Sequence, residues 1–307
     1  MHKNAKIWII AATALVLVGG LIFTGAMMIF NWDFTKLSTV KYVTNSHEIT
    51  EEFKNISIDT NTANVVVLPS NDGTNRVICY EQTKQKHLVT VEDGTLHIKV
   101  NDQRKWYNYI GFDFGNPKIT VYLADKDYGA LLVNGNTGNV ELPKGFTFEN
   151  VEISISTGDV NCLSNSLNNI KIKVSTGDIT LRGINCSGEI SIRSSTGDVN
   201  CLSSSLNNIT IKVSTGDITL RGINCSGKIS TRSSTGDVRF ERSDAAEIFV
   251  KTDTGDVTGT FLSDKIVFAT SSTGKIDVPK STVGGKCEIS TDTGDIRISI
   301  VAAPQNQ

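Results

Sequence analysis

The sequence predicts an all-β chain: a β-solenoid, β-helix-like, of about 20-residue coils with an N-terminal β cap, preceded by one transmembrane helix. Three observations predict it. A Thr-Gly pair recurs in register at Thr137, Thr157, Thr176, Thr196, Thr215, Thr235, Thr254, Thr273 and Thr293, at intervals of 19 or 20 residues. Apolar and polar residues alternate with period two on both sides of each pair. An uncharged apolar run fills Ile7 to Phe30.

Residues 1–6, with Lys3 and Lys6, are the expected cytoplasmic tail, and 7–30 the membrane helix, since about 20 apolar residues cross a hydrocarbon core of roughly 30 Å. Basic residues before the run and Asp33 after it set the N-terminus inside and the C-terminal body outside. Trp32 suits an interfacial anchor. The rival reading is a cleaved signal peptide, 1–26, ending at the small residues Thr24-Gly25-Ala26; the apolar run continues past them through Met27 to Phe30, which favours the uncleaved helix.

Residues 31–50 are polar and weakly patterned and are expected as a stalk. In the cap, 51–130, the segments Phe53 to Leu68, Arg76 to Gln82, Leu88 to Val91, Leu96 to Val100 and Lys118 to Leu123 alternate as strands, with a hairpin turn at Glu92-Asp93-Gly94. The coils occupy 131–301, and 302–307 is a tail. Within the coils, Ser156 to Ser194 matches Ser195 to Ser233 except at Asn165/Ser204, Lys171/Thr210, Glu189/Lys228 and Ile192/Thr231, so a two-coil unit is duplicated. A single such coil cannot bury its own apolar face, so successive coils must stack at about 4.8 Å. A β-sandwich of hairpins is the competing fold; near-identical neighbours favour stacking of like on like.

Composition fits this architecture and narrows function. The 26 Gly and 5 Pro suit many short strands and tight turns. The net charge of -2 gives no argument for nucleic acid.

The chain resembles the bacterial putative-adhesin family of β-strand-repeat membrane proteins, a domain of unknown function. The likeness rests on Val91-Glu92-Asp93-Gly94-Thr95-Leu96-His97-Ile98, on Pro117-Lys118-Ile119-Thr120-Val121-Tyr122-Leu123 and on the Ser-Thr-Gly-Asp-Val/Ile repeats, and covers roughly Glu51 to Ile300. It implies a β-helical extracellular module, in some cases linked with envelope-stress systems, and supplies no catalytic residue.

Four groups of side chains are candidates for chemistry. Cys162, Leu181, Cys201 and Leu220 share one slot of the repeat, and Leu167, Cys186, Leu206 and Cys225 another, so these cysteines are expected as buried free thiols. Within a slot they lie two rungs, about 9.6 Å, apart, beyond disulfide reach. Cys79 and Cys287 are expected to do likewise.

Asp159, Asp178, Asp198, Asp217, Asp237, Asp256 and Asp295 follow Thr-Gly and form an acidic ladder. They either bind the turn backbone, the favoured reading, or hold Ca²⁺, for which each coil offers few of the needed oxygens. Otherwise no cofactor is expected. Lys173, Arg193, Lys212, Arg232 and Lys251 form a basic ladder: a solvated face that partly neutralises the acidic one, or a strip for a cell-wall polyanion or anionic headgroups. Arg182 and Arg221 lie elsewhere on the coil. The aromatic cluster Trp106, Tyr107, Tyr109, Phe112 and Phe114 is expected to pack the cap on the first coil, with partner docking as the alternative.

His2, His47, His87 and His97 contain no pair at metal-ligand spacing, and no nucleophile elbow, phosphate loop or zinc motif is present. The expected function is therefore a non-catalytic, adhesin-like binding or scaffold protein of the cell envelope, whose partner is a wall polyanion, the membrane surface or an envelope protein. A component of an envelope-stress system is the alternative. A β-helix polysaccharide lyase or hydrolase is disfavoured because its cleft would need one coil unlike its neighbours.

Overall fold

The computed structural model describes residues 3–33, 38–106, 113, 115–163 and 165–301. One α-helix, Lys3–Ile29, is followed by strands joined in one continuous sheet wound into a solenoid. The span Ala5–Ile29 is long and apolar enough to cross a membrane.

The coil 166–182 shows how sequence dictates the winding. Its long strand, Ser166–Thr176, points Leu167, Ile170, Ile172 and Val174 inward, and turns a corner at Asn168–Asn169, where two consecutive side chains face out. Gly177, at φ +138, turns the chain into the short strand Ile179–Arg182, which buries Ile179 and Leu181. A Cβ on Gly177 would lie 2.0 Å from the carbonyl oxygen of Gly158 one rung below, so both backbone angle and rung spacing demand glycine. The 20-residue coils carry their extra residue at the corner: Leu167 to Ile170 stacks on Cys186 to Ile190 through a bulge. Along the rest of this strand pair the register is unbroken, with Ile172 on Ile192 and Lys173 on Arg193.

The duplicated unit spans two coils because the slots alternate in size. Cys162 stacks on Leu181, Leu181 on Cys201 and Cys201 on Leu220. Leu167 likewise lies on Cys186, and Cys186 on Leu206. Small beside large evens the volume of each slot from rung to rung. All six cysteines are free and buried, and burial pushes the Cys162 and Cys201 thiols up to about 12.

At both ends the stacking departs from chain order, correcting the expectation that successive coils always stack. The strands Asn55–Thr60 and Asn64–Pro69 lie against the coil 127–142 on one side. On the other they meet Thr95–Asp102 and Lys118–Leu123, so an earlier segment sits inside a later one. The expected cap thus supplies two further parallel rungs. Strands Asn75–Gln82 and Gln85–Glu92 then close the outermost rung antiparallel, and Asp93–Gly94, both at positive φ, form the predicted hairpin turn.

The stalk is also corrected, because Tyr42–Ile49 is a strand paired antiparallel with Asn75–Gln82. Its alternation is hidden in the sequence by polar residues at half-buried positions, among them Asn45, whose Nδ2 donates to Glu81 Oε1 at 2.6 Å.

At the C-terminal end, the coil 285–300 inserts between the coil ending at Phe261 and the strand Lys265–Thr273. Burial explains the exchange. The final coil brings Cys287, Ile289, Ile296 and Ile298 to the core, whereas the coil displaced outward offers Ala269 and Ser271 inside and leaves Ile276 exposed. Lys265, itself buried, reaches past Gly285 to Asp244 at 2.6 Å and ties the two flanking rungs together.

Candidate functional site: two charged ladders

The long strands place the basic residues in one column. Lys173, Arg193, Lys212, Arg232 and Lys251 are Cα partners on five consecutive rungs and all are exposed. Ser154 precedes the column and Ser290 follows it. Five rungs at about 4.8 Å give a strip roughly 19 Å long. Among the described residues no ion pair engages these side chains, whereas Arg221, on the short strand, pairs with Glu241 at 2.5 Å. A shallow groove along the strip is lined by Lys173, Arg193, Lys212 and Arg232 together with Ser195, Ser214 and Ser234, so hydroxyl donors flank the cations. Toward the C-terminal end the groove continues past Lys251 to Phe249 and Phe268. Chemically this is a row of charge-assisted donors repeated once per rung.

The acidic residues are organised by the backbone. Asp178 N–H donates to Asp159 Oδ1 at 2.9 Å, Asp198 to Asp178 at 2.8 Å, and Asp217, Asp237 and Asp256 continue the series. Asn139, then Asn64, take this place at the N-terminal end. At the other end Asp295 N–H donates to Asp256, and Lys275 N–H donates to Asp295 Oδ1. Lys275 lies on the outermost rung, so no further amide calls for a carboxylate there. The Lys275 amide hydrogen bond, with Arg297 adding to it, holds the Asp295 carboxyl below the usual carboxylate range. Each carboxylate of the ladder therefore stitches one coil to the next. No ion pair joins the acidic ladder to the basic one among the described residues.

Trp106 is exposed; Tyr107, Tyr109, Phe112 and Phe114 lie outside the described residues. Sequence reasoning missed one cluster, Cys79, Glu81 and His87, whose ligand-capable atoms lie within 4.8 Å of one another. Its trace in the sequence is Cys-X-Glu, which puts both side chains on one face of a strand, followed by a histidine on the next strand.

The parallel rungs, buried Leu/Cys slots and charged outer columns define a β-solenoid. The profile of the Toastrack DUF4097 family matches residues 53–258 and 187–306, and the chain belongs to that family. Its fold is similar to that of a putative adhesin from Bacteroides fragilis NCTC 9343, at 18% identity and TM-score 0.50, over 84% of this chain and 97% of that one. It is similar also to a putative adhesin from Parabacteroides distasonis ATCC 8503, at 11% identity and TM-score 0.50, over 85% of this chain and 98% of that one. No curated protein matches the sequence.

Proposed function

We propose that this chain is a single-pass membrane protein of the bacterial envelope, its N-terminus cytoplasmic, whose external solenoid is a non-catalytic, adhesin-like rod binding an anionic cell-wall polymer. The observation that carries the reading is the column of five exposed cations, unpaired among the described residues and flanked by serine hydroxyls. A like-charged column repels itself, and an external polyanion relieves that repulsion. The coils that bear it are near copies, which suits repeated recognition of a repeating polymer better than a single catalytic cleft. The adhesin names of the solved relatives agree with a surface role.

The test is binding to isolated cell walls by wild type and by the triple variant Arg193→Glu, Lys212→Glu, Arg232→Glu. Wild-type binding that weakens with salt and is lost in the variant supports the strip. Unchanged binding by the variant refutes it, and capture on anionic vesicles or by a membrane protein instead reassigns the partner. Protease added to intact cells should remove the solenoid and spare the N-terminal tail.

A further inference from the structure

We infer that Cys79, Glu81 and His87 form a binding site for a borderline-soft divalent ion such as Zn²⁺, cross-linking the two antiparallel strands, Asn75–Gln82 and Gln85–Glu92, that close the N-terminal end. The three residues are 0%, 1% and 7% exposed. Their ligand-capable atoms lie within 4.8 Å of one another. A tetrahedral ion at about 2.0 to 2.3 Å from nitrogen, oxygen and sulfur ligands spaces those atoms about 3.3 to 3.6 Å apart, so shifts on the order of 1 Å fill three of its four positions and a water molecule takes the fourth. Mixed Cys/His/carboxylate donors on rigid strands are what such an ion takes.

Charge points the same way. Glu81 is a buried carboxylate whose Oε2 lies 2.7 Å from His87 Nδ1. It also accepts the His87 backbone N–H at 2.6 Å and Asn45 Nδ2 at 2.6 Å. These two amide donors offset the cost of burying the carboxylate only in part, since neither carries a positive charge. One thiolate and one carboxylate on a divalent ion sum to zero charge, and the imidazole binds as a neutral ligand.

Thr60 Oγ1 accepts the Ala63 N–H and lies 3.2 Å from His87 Nε2; with the imidazole neutral, the threonine hydroxyl donates to Nε2 and Nδ1–H donates to Glu81. On metal binding Nδ1 becomes the ligand, the imidazole proton moves to Nε2 and is donated to Thr60, and the Cys79 thiol releases its proton to solvent. The Thr60 contact then serves as the outer hydrogen bond that orients a ligating histidine. In the metal-free protein, burial pushes the Cys79 thiol up to about 12, and the Glu81 carboxylate adds to the rise.

The experiment is Co²⁺ titration of the full chain in detergent, read by the thiolate-to-cobalt absorption band, with Zn²⁺-dependent melting temperature as a second readout. The wild type should show the band and melt higher with Zn²⁺. Cys79→Ser and His87→Gln should lose the band and bind on the order of 100-fold more weakly, while Cys287→Ser should keep it. Because a core variant can fail to fold, the wild type alone also decides: Zn²⁺ should slow alkylation of Cys79, but not of Cys287, in partial denaturant. No band in folded wild type, a band surviving Cys79→Ser, or equal alkylation of the two cysteines overturns the site. None of these readouts involves the basic strip.

Discussion

Asp198 illustrates how one residue does a structural job that its charge obscures. Its Oδ1 accepts the Asp217 amide, and its own amide donates to Asp178. Asn139 fills the same role on an earlier rung with a neutral amide oxygen. Asp198→Asn should therefore leave the melting temperature near wild type, whereas Asp198→Ala should cost about 1 kcal/mol, the net worth of one hydrogen bond. Equal losses in both variants would mean that the charge itself matters, as a cation site requires. The duplicated unit provides a second residue-scale test. Thr231 replaces the Ile192 of its copy, and its buried hydroxyl has no hydrogen-bond partner among the described residues. Thr231→Val keeps the shape and removes the orphaned group, and should stabilise by about 1 kcal/mol, measured as a raised unfolding midpoint.

Among elements, the inserted C-terminal coil has the largest consequence. A chain end left as the outermost rung frays, whereas this one is held between two rungs by ladder bonds on both sides. In a solenoid stacked in chain order, removal of the last coil merely shortens the rod. Here, truncation after Gly284 removes the middle layer and bares apolar surface on the coil 244–261, while Lys265–Thr273 loses its partner. The truncated protein should aggregate or bind a hydrophobic dye, read by light scattering and fluorescence; a soluble, monomeric product would contradict the inverted order. The N-terminal lid follows the same logic, since antiparallel strands there end a parallel stack that would otherwise offer an open edge.

For the whole molecule, the solenoid behaves as a one-dimensional array whose length and charge can be changed together. Deleting 195–233 joins Ser194 to Ser234 and preserves the spacing between Thr-Gly turns. The shortened protein should fold, lose about 9.6 Å of length by solution scattering, two rungs at the strand spacing, and keep three of its five column cations. Binding to wall polyanion should weaken and become less salt-dependent, because fewer charges engage the polymer. Retained affinity would place recognition elsewhere on the rod.

Much of this architecture is legible in the amino-acid sequence, for a physical reason: where neighbours in the chain are also neighbours in space, the period of the sequence is the period of the fold. The inward Leu/Cys slots, the glycine turns, the cysteines as packing residues, the Asp93-Gly94 hairpin and the apolar N-terminal helix all follow from local spacing. The threading of the two ends does not, because it depends on which of two coils buries more apolar surface, a comparison made only when both compete for the same neighbour. Lys275 in the place of an aspartate does carry a trace of the outermost rung, but its meaning appears only with the ladder of amide hydrogen bonds. The meeting of Cys79, Glu81 and His87 is likewise a product of folding, since it needs two strands and a turn of the first rung brought together. The N-terminal helix and the repeated coils are thus determined by the sequence itself, while the order of the terminal rungs and the buried cluster within the lid are decided by competition for burial in three dimensions.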